Sequence, residues 1–471
     1  MASRSHGREA DRVEAIDVAA GIPAGGLLFH EKRSTITVSR RNGIARPPLV
    51  LDESGCRVSG IASGHPFATV LDEPGPRSLR RIAGLLSEGL AEPAAIGDAT
   101  TRERASRFIE PIAALFARWS SELSMADLPA GCEIIDTKMD ATIVLSRIAV
   151  ARARGDDPFL VARDLRASVE GRLSITLRHG DRPLTVEATR WADALADPPA
   201  AAFPGWHGAA AEALQRGADL LDAVPPPAMT APAVFSPGAA GILLHETCAH
   251  LLEGDLVASG ASPFARLAGE KVAIDHLTLV DDPRLERARV RLLVDDEGNE
   301  TRATVLIEAG VLRGFLTDGA TAAALAGAAA GTASTANARR ESYRFAAIPR
   351  MTNILVAAGE EAPADLMKPI SRGLYVERLG RGQVDPRRGE FRLEVESGRL
   401  IESGRPGRSI SGAFLVGSCR ELLRAIDGIG DDVRIDSGAG ACIKEDQIVP
   451  VGQATPSIRV AKVRVLPGVA Q

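Results

Sequence analysis

Aromatic side chains make up only 4% of this 471-residue chain, with two tyrosines and three tryptophans. Single-stranded nucleic acids are held largely by bases stacking on aromatic rings, so that class of partner is disfavoured. An excess of basic charge is lacking too. Lys and Arg number 56 against 61 Asp and Glu, a net charge of −5, whereas nucleic-acid binding by bulk charge needs a basic balance. Cysteine is sparse: Cys56, Cys132, Cys248, Cys419 and Cys442 are odd in number, scattered, and never spaced as CxxC. That excludes a disulfide scaffold and suits a reducing compartment, so the expected location is the cytoplasm. The opening residues, MASRSHGREADRVEA, hold no apolar segment of the secretory type. Val224–Leu244 and Gly319–Ala338 lack charge, but the first contains five prolines and the second is mostly Ala, Gly, Thr and Ser. Neither predicts a membrane span. A Gly-Lys dipeptide, a GxSxG elbow and a GxGxxG fingerprint are all missing, which leaves nucleotide hydrolysis and α/β-hydrolase chemistry without their usual residues.

What is present is ordinary globular material, 45% hydrophobic and 25% charged, enough apolar side chain to build cores. At ~100–200 residues per domain the length predicts two or three domains. Alternation over Leu27–Arg40 predicts a strand pair, and Ala141–Val150 and Leu173–Leu177 read as strands. Apolar residues at helical spacing predict helices over Arg77–Leu90, Thr101–Leu128 and Trp206–Ala223. The run Val224-Pro-Pro-Pro with Pro232 and Pro237 predicts neither helix nor central strand, because proline removes a backbone donor and fixes φ. Beyond it, strands are expected over Val290–Val294, Ala303–Ile307, Gly373–Val376, Phe391–Val395 and Val460–Val465, with a turn at Asp295–Asn299. The Ala/Gly stretch 319–338 reads as a surface loop, a short helix or a flap over a site. The expected architecture is α+β in two domains. It comprises a disordered tail (1–14), an N-terminal domain of helices and sheet (15–223), a Pro-rich linker (224–238) and a strand-rich C-terminal domain (239–471).

One segment carries chemistry. In GILLHETCAHLLEGD, His245, Glu246 and His250 form H-E-x-x-x-H. Imidazole is a standard zinc ligand, and a glutamate beside it can take a proton from a metal-activated water. Ser236-Pro237 is a helix start and Gly254 a helix end, so the motif is expected on a helix of about four turns. The spacing conflicts with a regular helix. At ~100° per residue, positions five apart lie ~140° from each other, so the helix must bulge between the histidines or end early. A catalytic zinc needs a third protein ligand, and the spacing leaves His276, Cys419, Cys442 and several carboxylates open. Cys248 reads as a small buried side chain.

These residues, with others in order along the second half, resemble the TldD/PmbA metalloproteases, also called modulators of DNA gyrase. The matching stretches are Leu243–Glu246, His250–Asp255, Asp295–Gly298, Val305–Gly314, Arg339–Tyr343, Pro349–Asn353, Gly380–Asp385, Gly438–Cys442 and Pro450–Gly452. The resemblance implies zinc held by His245, His250 and Cys442, with Glu246 as catalytic base. It implies the TldD-type catalytic subunit, because partner subunits of the TldE/PmbA type lack the motif. It also implies cleavage of unfolded or flexible peptides, and a dimer with such a homologue or with a second copy. Ala249 and Ile443 stand where the family usually has glycine. Two other classes of function fit the same residues: a non-catalytic peptide- or partner-binding subunit with a relic metal site, and a zinc hydrolase of a non-peptide amide. Glu253 and Asp255 are possible supporting partners for a ligand histidine. Arg339, Arg340 and Arg350 are expected as surface charge, with binding of a peptide carboxylate as the alternative.

Overall fold

The computed structural model describes residues 26–62, 65–72, 103, 106–154, 157–192, 206–326, 334–436 and 440–468. The tail expected over 1–14 and the helix expected over 77–90 lie outside them. The protein is α+β and rich in strand.

Alternation builds the first sheet, with a change of phase. Leu27–Arg41 is a single 15-residue strand that buries Phe29 and Glu31 on one face and, further along, Ser34, Ile36 and Val38 on the other. It was expected as a pair, but no Gly, Pro, Asn or Asp interrupts it, so nothing in the segment makes a turn. The sheet runs His65–Asp72, Leu49–Ala62, Leu27–Arg41, Cys132–Arg154, Asp157–His179, Arg182–Ala192, antiparallel throughout. The strands expected over 141–150 and 173–177 are the centres of two 23-residue strands. Helices Ile109–Ser124 and Ala209–Leu221 cover one face and share a core with Ile143, Leu145, Leu173 and Ile175. Trp119 and Trp206 stack there at 6.1 Å between ring centroids, and the Trp119 Nε1–H donates to the Trp206 carbonyl at 3.0 Å. A Cβ at Gly171 would lie 1.9 Å from the Trp206 ring, so this close approach requires glycine.

The second half is built of shorter strands. Met229–Phe235, Ile458–Pro467, Ala413–Ser418, Glu390–Glu402 and Arg372–Asp385 pair in that order, and the last returns to the first to close a barrel. The run expected as a linker therefore contains a central strand. Pro232 is tolerated because it has a registered partner in neither ladder. Parallel pairing with 372–385 begins at Ala233, and the antiparallel ladder with 458–467 shifts register opposite Pro232. A second sheet is ordered Val311–Leu312, Thr304–Glu308, Leu279–Asp281, Asn353–Val356, Gly452–Thr455, Arg434–Ile435. The strand expected over 290–294 is absent, leaving one bridge between Val294 and Glu300. The Asp295 carboxylate closes that turn by accepting from the backbone N–H groups of Glu297 (3.0 Å) and Asn299 (2.8 Å). Gly319–Ala326, the first part of the Ala/Gly stretch, is helical. Among the described residues no helix is long and apolar enough to cross a membrane.

Candidate metal centre

Helix Pro237–Thr247 opens as the sequence predicts. Ser236 is extended, its hydroxyl accepts from the Ala239 N–H, and Pro237 fills the first turn. The helix packs against strands Arg372–Asp385 and Gly452–Thr455, and seven of its eleven residues are buried. It does not run on to Gly254. Thr247 turns its hydroxyl back to the Leu243 carbonyl at 2.7 Å, a bond that competes with the helical pattern. Cys248 then leaves helical geometry at φ −130°, ψ −64°, and Ala249–Leu252 forms a separate 3-10 turn. The conflict over spacing is thus resolved by early termination. The irregular backbone falls on Cys248, and Ala249 keeps a negative φ, so no glycine is needed there.

The break swings His250 back over His245. Their rings meet edge to face at 4.7 Å between centroids. Cys442 arrives from a distant hairpin, Ala441–Lys444 paired with Gln447–Pro450, and its Sγ lies 3.2 Å from His250 Nε2. One donor atom from each of His245, His250 and Cys442 falls within 4.8 Å of the others. His276 is exposed, and Cys419 is buried at the start of helix Cys419–Ala425, outside this group.

The surroundings favour a thiolate. Burial pushes the Cys442 thiol up, but His245 and His250 more than reverse this and bring it down to about 5. Burial takes Cys56 up to about 11 and Cys419 to about 12, and raises Cys248 as well. Those three are inert side chains of the interior. His250 Nδ1 faces Glu253 Oε2 at 3.2 Å, which leaves Nε2 toward the sulfur. Glu253 is fully buried. Burial raises its carboxyl, and His250 and Lys444 outweigh that to hold it at about 2. Lys444 Nζ donates to Glu253 Oε2 at 2.8 Å and to Asp255 Oδ1 at 2.7 Å.

Glu246 lies half-buried, with no hydrogen-bond partner among the described residues. Its carboxyl stem passes Gly382, where a Cβ would sit 3.4 Å from Glu246 Cγ. Gly382 belongs to the Gly380–Asp385 motif, and a Cβ there would collide with Leu393 Cδ2 at 2.6 Å while only touching the glutamate.

The three arginines are not surface charge. Arg339, Arg340 and Arg350 are all buried. Arg350 donates to the Cys442 carbonyl at 2.6 Å, and Arg339 to the Pro450 carbonyl at 2.7 Å. Arg340 is paired with Asp296 through its backbone N–H (2.6 Å) and its guanidinium. Two of the three therefore hold the Cys442 hairpin. Sequence reasoning missed this role, and also that of Lys444. The available signal for Arg339 and Arg350 was their place in the matching stretches Arg339–Tyr343 and Pro349–Asn353; Lys444 lies just outside Gly438–Cys442 and had none.

The profile of the PmbA/TldA metallopeptidase C-terminal domain matches residues 228–466. A metalloprotease TldD homolog of Haemophilus influenzae is 38% identical over 256 residues, 54% of this chain and 52% of that protein. A zinc metalloprotease TldD homolog of Saccharolobus solfataricus is 30% identical over 235 residues, 50% of this chain and 51% of that protein. The chain spans about half the length of the curated relatives it matches. In fold the likeness is wider. The crystal structure of TldE from Thermococcus kodakarensis superposes with a TM-score of 0.71 at 18% identity, covering 95% of this chain and 98% of that one. The chain belongs to the TldD/PmbA metallopeptidase family.

Proposed function

We propose that this chain is a zinc-dependent peptidase subunit that hydrolyses peptide bonds in unfolded or flexible peptides. The observation that carries the reading is the meeting of two imidazoles and a thiol beside a glutamate that no described protein group engages. Two histidines and one thiolate leave a fourth position open, the pattern of catalytic rather than structural zinc, and the donor chemistry favours zinc over harder divalent ions. His245, His250 and Cys442 would hold the ion. When bound, zinc supplies a Lewis acid for the substrate carbonyl and acidifies a water. Glu246 acts as general base: its carboxylate accepts the proton of the attacking water and later returns it to the leaving amine. Extended substrates recognised through their backbone, as an added strand, would be cut with modest sequence preference.

We assign the metal-binding unit to the C-terminal part of the chain, beginning with strand Met229–Phe235, and the 26–192 sheet with its helices to an N-terminal domain. The partner is a TldE/PmbA-like homologue or a second copy of this chain. The free cysteines suit the reducing cytoplasm.

The test pairs two variants with a digest of an unstructured peptide library. Glu246→Gln is expected to keep wild-type zinc content while cleavage falls at least ~10²-fold. Retained cleavage would remove Glu246 as the base. Cys442→Ala is expected to lower zinc content, and unchanged stoichiometry would exclude it as a ligand. A zinc-loaded wild type that leaves every peptide intact would turn the assignment toward a non-peptide amide or a binding subunit.

A further inference from the structure

Lys444 stands two residues beyond Cys442 on the same strand, so both side chains project from one face of the hairpin. Ile443, between them, points away and is 68% exposed. On the inward face the sulfur reaches His250, and the ammonium reaches Glu253 and Asp255, which immediately follow the His250 turn. The hairpin thus meets the turn at two points spaced one strand repeat apart. The sulfur contact sets one of them, and the ammonium sets the other.

The charges make the second contact stringent. Glu253 is fully buried, and an ionised carboxylate there needs a cation. A histidine that ligates metal is neutral, so His250 cannot fill that role in a loaded site. Lys444, with its side chain only 13% exposed, is the permanent cation on Glu253. Glu253 in turn faces His250 Nδ1 at 3.2 Å. An ionised Glu253 accepts that N–H and leaves Nε2 as the donor atom on the side of Cys442.

We propose that Lys444 is a positioning residue for the metal centre: by bridging Glu253 and Asp255 it locks the Cys442 hairpin to the His250 turn and presets the three-donor geometry. This rests on the metal-site reading above. Lys444 itself is not one of the three donors.

The experiment titrates metal-free, full-length protein with cobalt(II) against a competing chelator, for wild type, Lys444→Met, Lys444→Arg and the double variant Glu253→Gln/Lys444→Met. Cobalt reports two things: its affinity, and the near-ultraviolet thiolate-to-cobalt band that requires the sulfur in the first coordination sphere. Lys444→Met is expected to bind ~10–100-fold more weakly, with a diminished thiolate band. Lys444→Arg keeps a cation for the two carboxylates and is expected to recover most of both. The double variant removes the uncompensated buried charge, and its new side-chain amide oxygen can still accept the His250 N–H. It should melt close to wild type yet stay weak in cobalt affinity. Wild-type affinity and band in Lys444→Met would overturn the proposal. Full recovery in the double variant would overturn it too, since the single-variant defect would then be buried charge alone. A wild type that binds no cobalt would instead overturn the metal-site reading, and this inference with it.

Discussion

The sheet over residues 26–192 and the half that follows it solve different problems. The first has strands of up to 23 residues in a simple antiparallel order, and its core is apolar, with Phe116, Trp119 and Trp206 stacked in series. The second has shorter strands, a closed barrel with register shifts, and more buried charge: Glu253, Asp281, Asp295, Asp296, Arg339, Arg340 and Arg350, against Glu31, Asp164, Arg190 and Arg216 before it. An alternating pattern can be satisfied by many residues of the right size. A buried arginine or carboxylate can be satisfied only by a particular partner. The fold likeness covers 95% of the chain at 18% identity, while the family profile covers only residues 228–466. That contrast is what such a division of labour predicts. Shape is held in common over both halves, and chemical identity is specified in one.

Four experiments would break or sharpen this contrast. The largest effect is expected in the first half. Trp119→Ala removes a fully buried ring and should cost ~3–5 kcal/mol in denaturant unfolding, with metal stoichiometry unchanged. A loss of metal would show that the two halves are coupled more tightly than their separate cores suggest. Arg350→Met comes next. It removes the guanidinium that donates to the buried Cys442 carbonyl and should cost ~1–3 kcal/mol. Here metal affinity is expected to fall as well, so two destabilised proteins would differ in the one property that separates the halves.

The third experiment concerns pH. Among the described residues, carboxyls held above their usual range lie only in the second half. Burial takes Asp281 and Asp295 to about 6 and Glu297 to about 7. For Glu297 the folded value is raised above the unfolded one. Its contribution to stability is therefore full below pH 4.5 and is lost as pH rises through about 7. Glu297→Gln should flatten that decline, so its melting temperature should gain on wild type at pH 8 relative to pH 5. An identical pH profile would mean the carboxyl is ionised throughout. The smallest effect is at the tip of the Cys442 hairpin. Glu445 and Asp446 form a two-residue turn with φ of 50° and 59° and no glycine, a conformation that favours glycine. Asp446→Gly should stabilise by up to about 1 kcal/mol, measured by thermal melting of the metal-free protein.

The same contrast explains what could be read from the sequence. Strand centres such as 141–150 and 173–177 were legible because their apolar residues alternate. Their full lengths were not, because the outer parts carry Arg, Asp and Glu that face solvent or the other half. Pro232 misled, since a proline between two ladders looks in sequence like a proline in a loop. His245, Glu246 and His250 were legible from local spacing, and so was the need for a distortion between the histidines. Cys442 was not, because no local pattern links residues 192 apart. Only the family resemblance pointed to it. Lys444, Arg339 and Arg350 were illegible for a physical reason. A charged residue is read as solvated until its partner is known, and each of these partners is a carbonyl or carboxylate from another part of the chain.

The distance along the chain between His250 and Cys442 also fixes when the centre can exist. A polypeptide grows from its N-terminus, and the motif helix is made nearly two hundred residues before the thiol that completes it. The strand that closes the barrel beside that helix, Ile458–Pro467, is made later still. A half-made chain therefore carries both histidines and the glutamate but no third donor, and its barrel is open. Ribosome-stalled chains ending before residue 442 are expected to take up no zinc, and chains carrying the closing strand to take it up. Under the proposed function, a chain that cuts unfolded polypeptide would be most exposed to its own activity while it is itself unfolded, and this order of residues would delay the complete centre until that period is over.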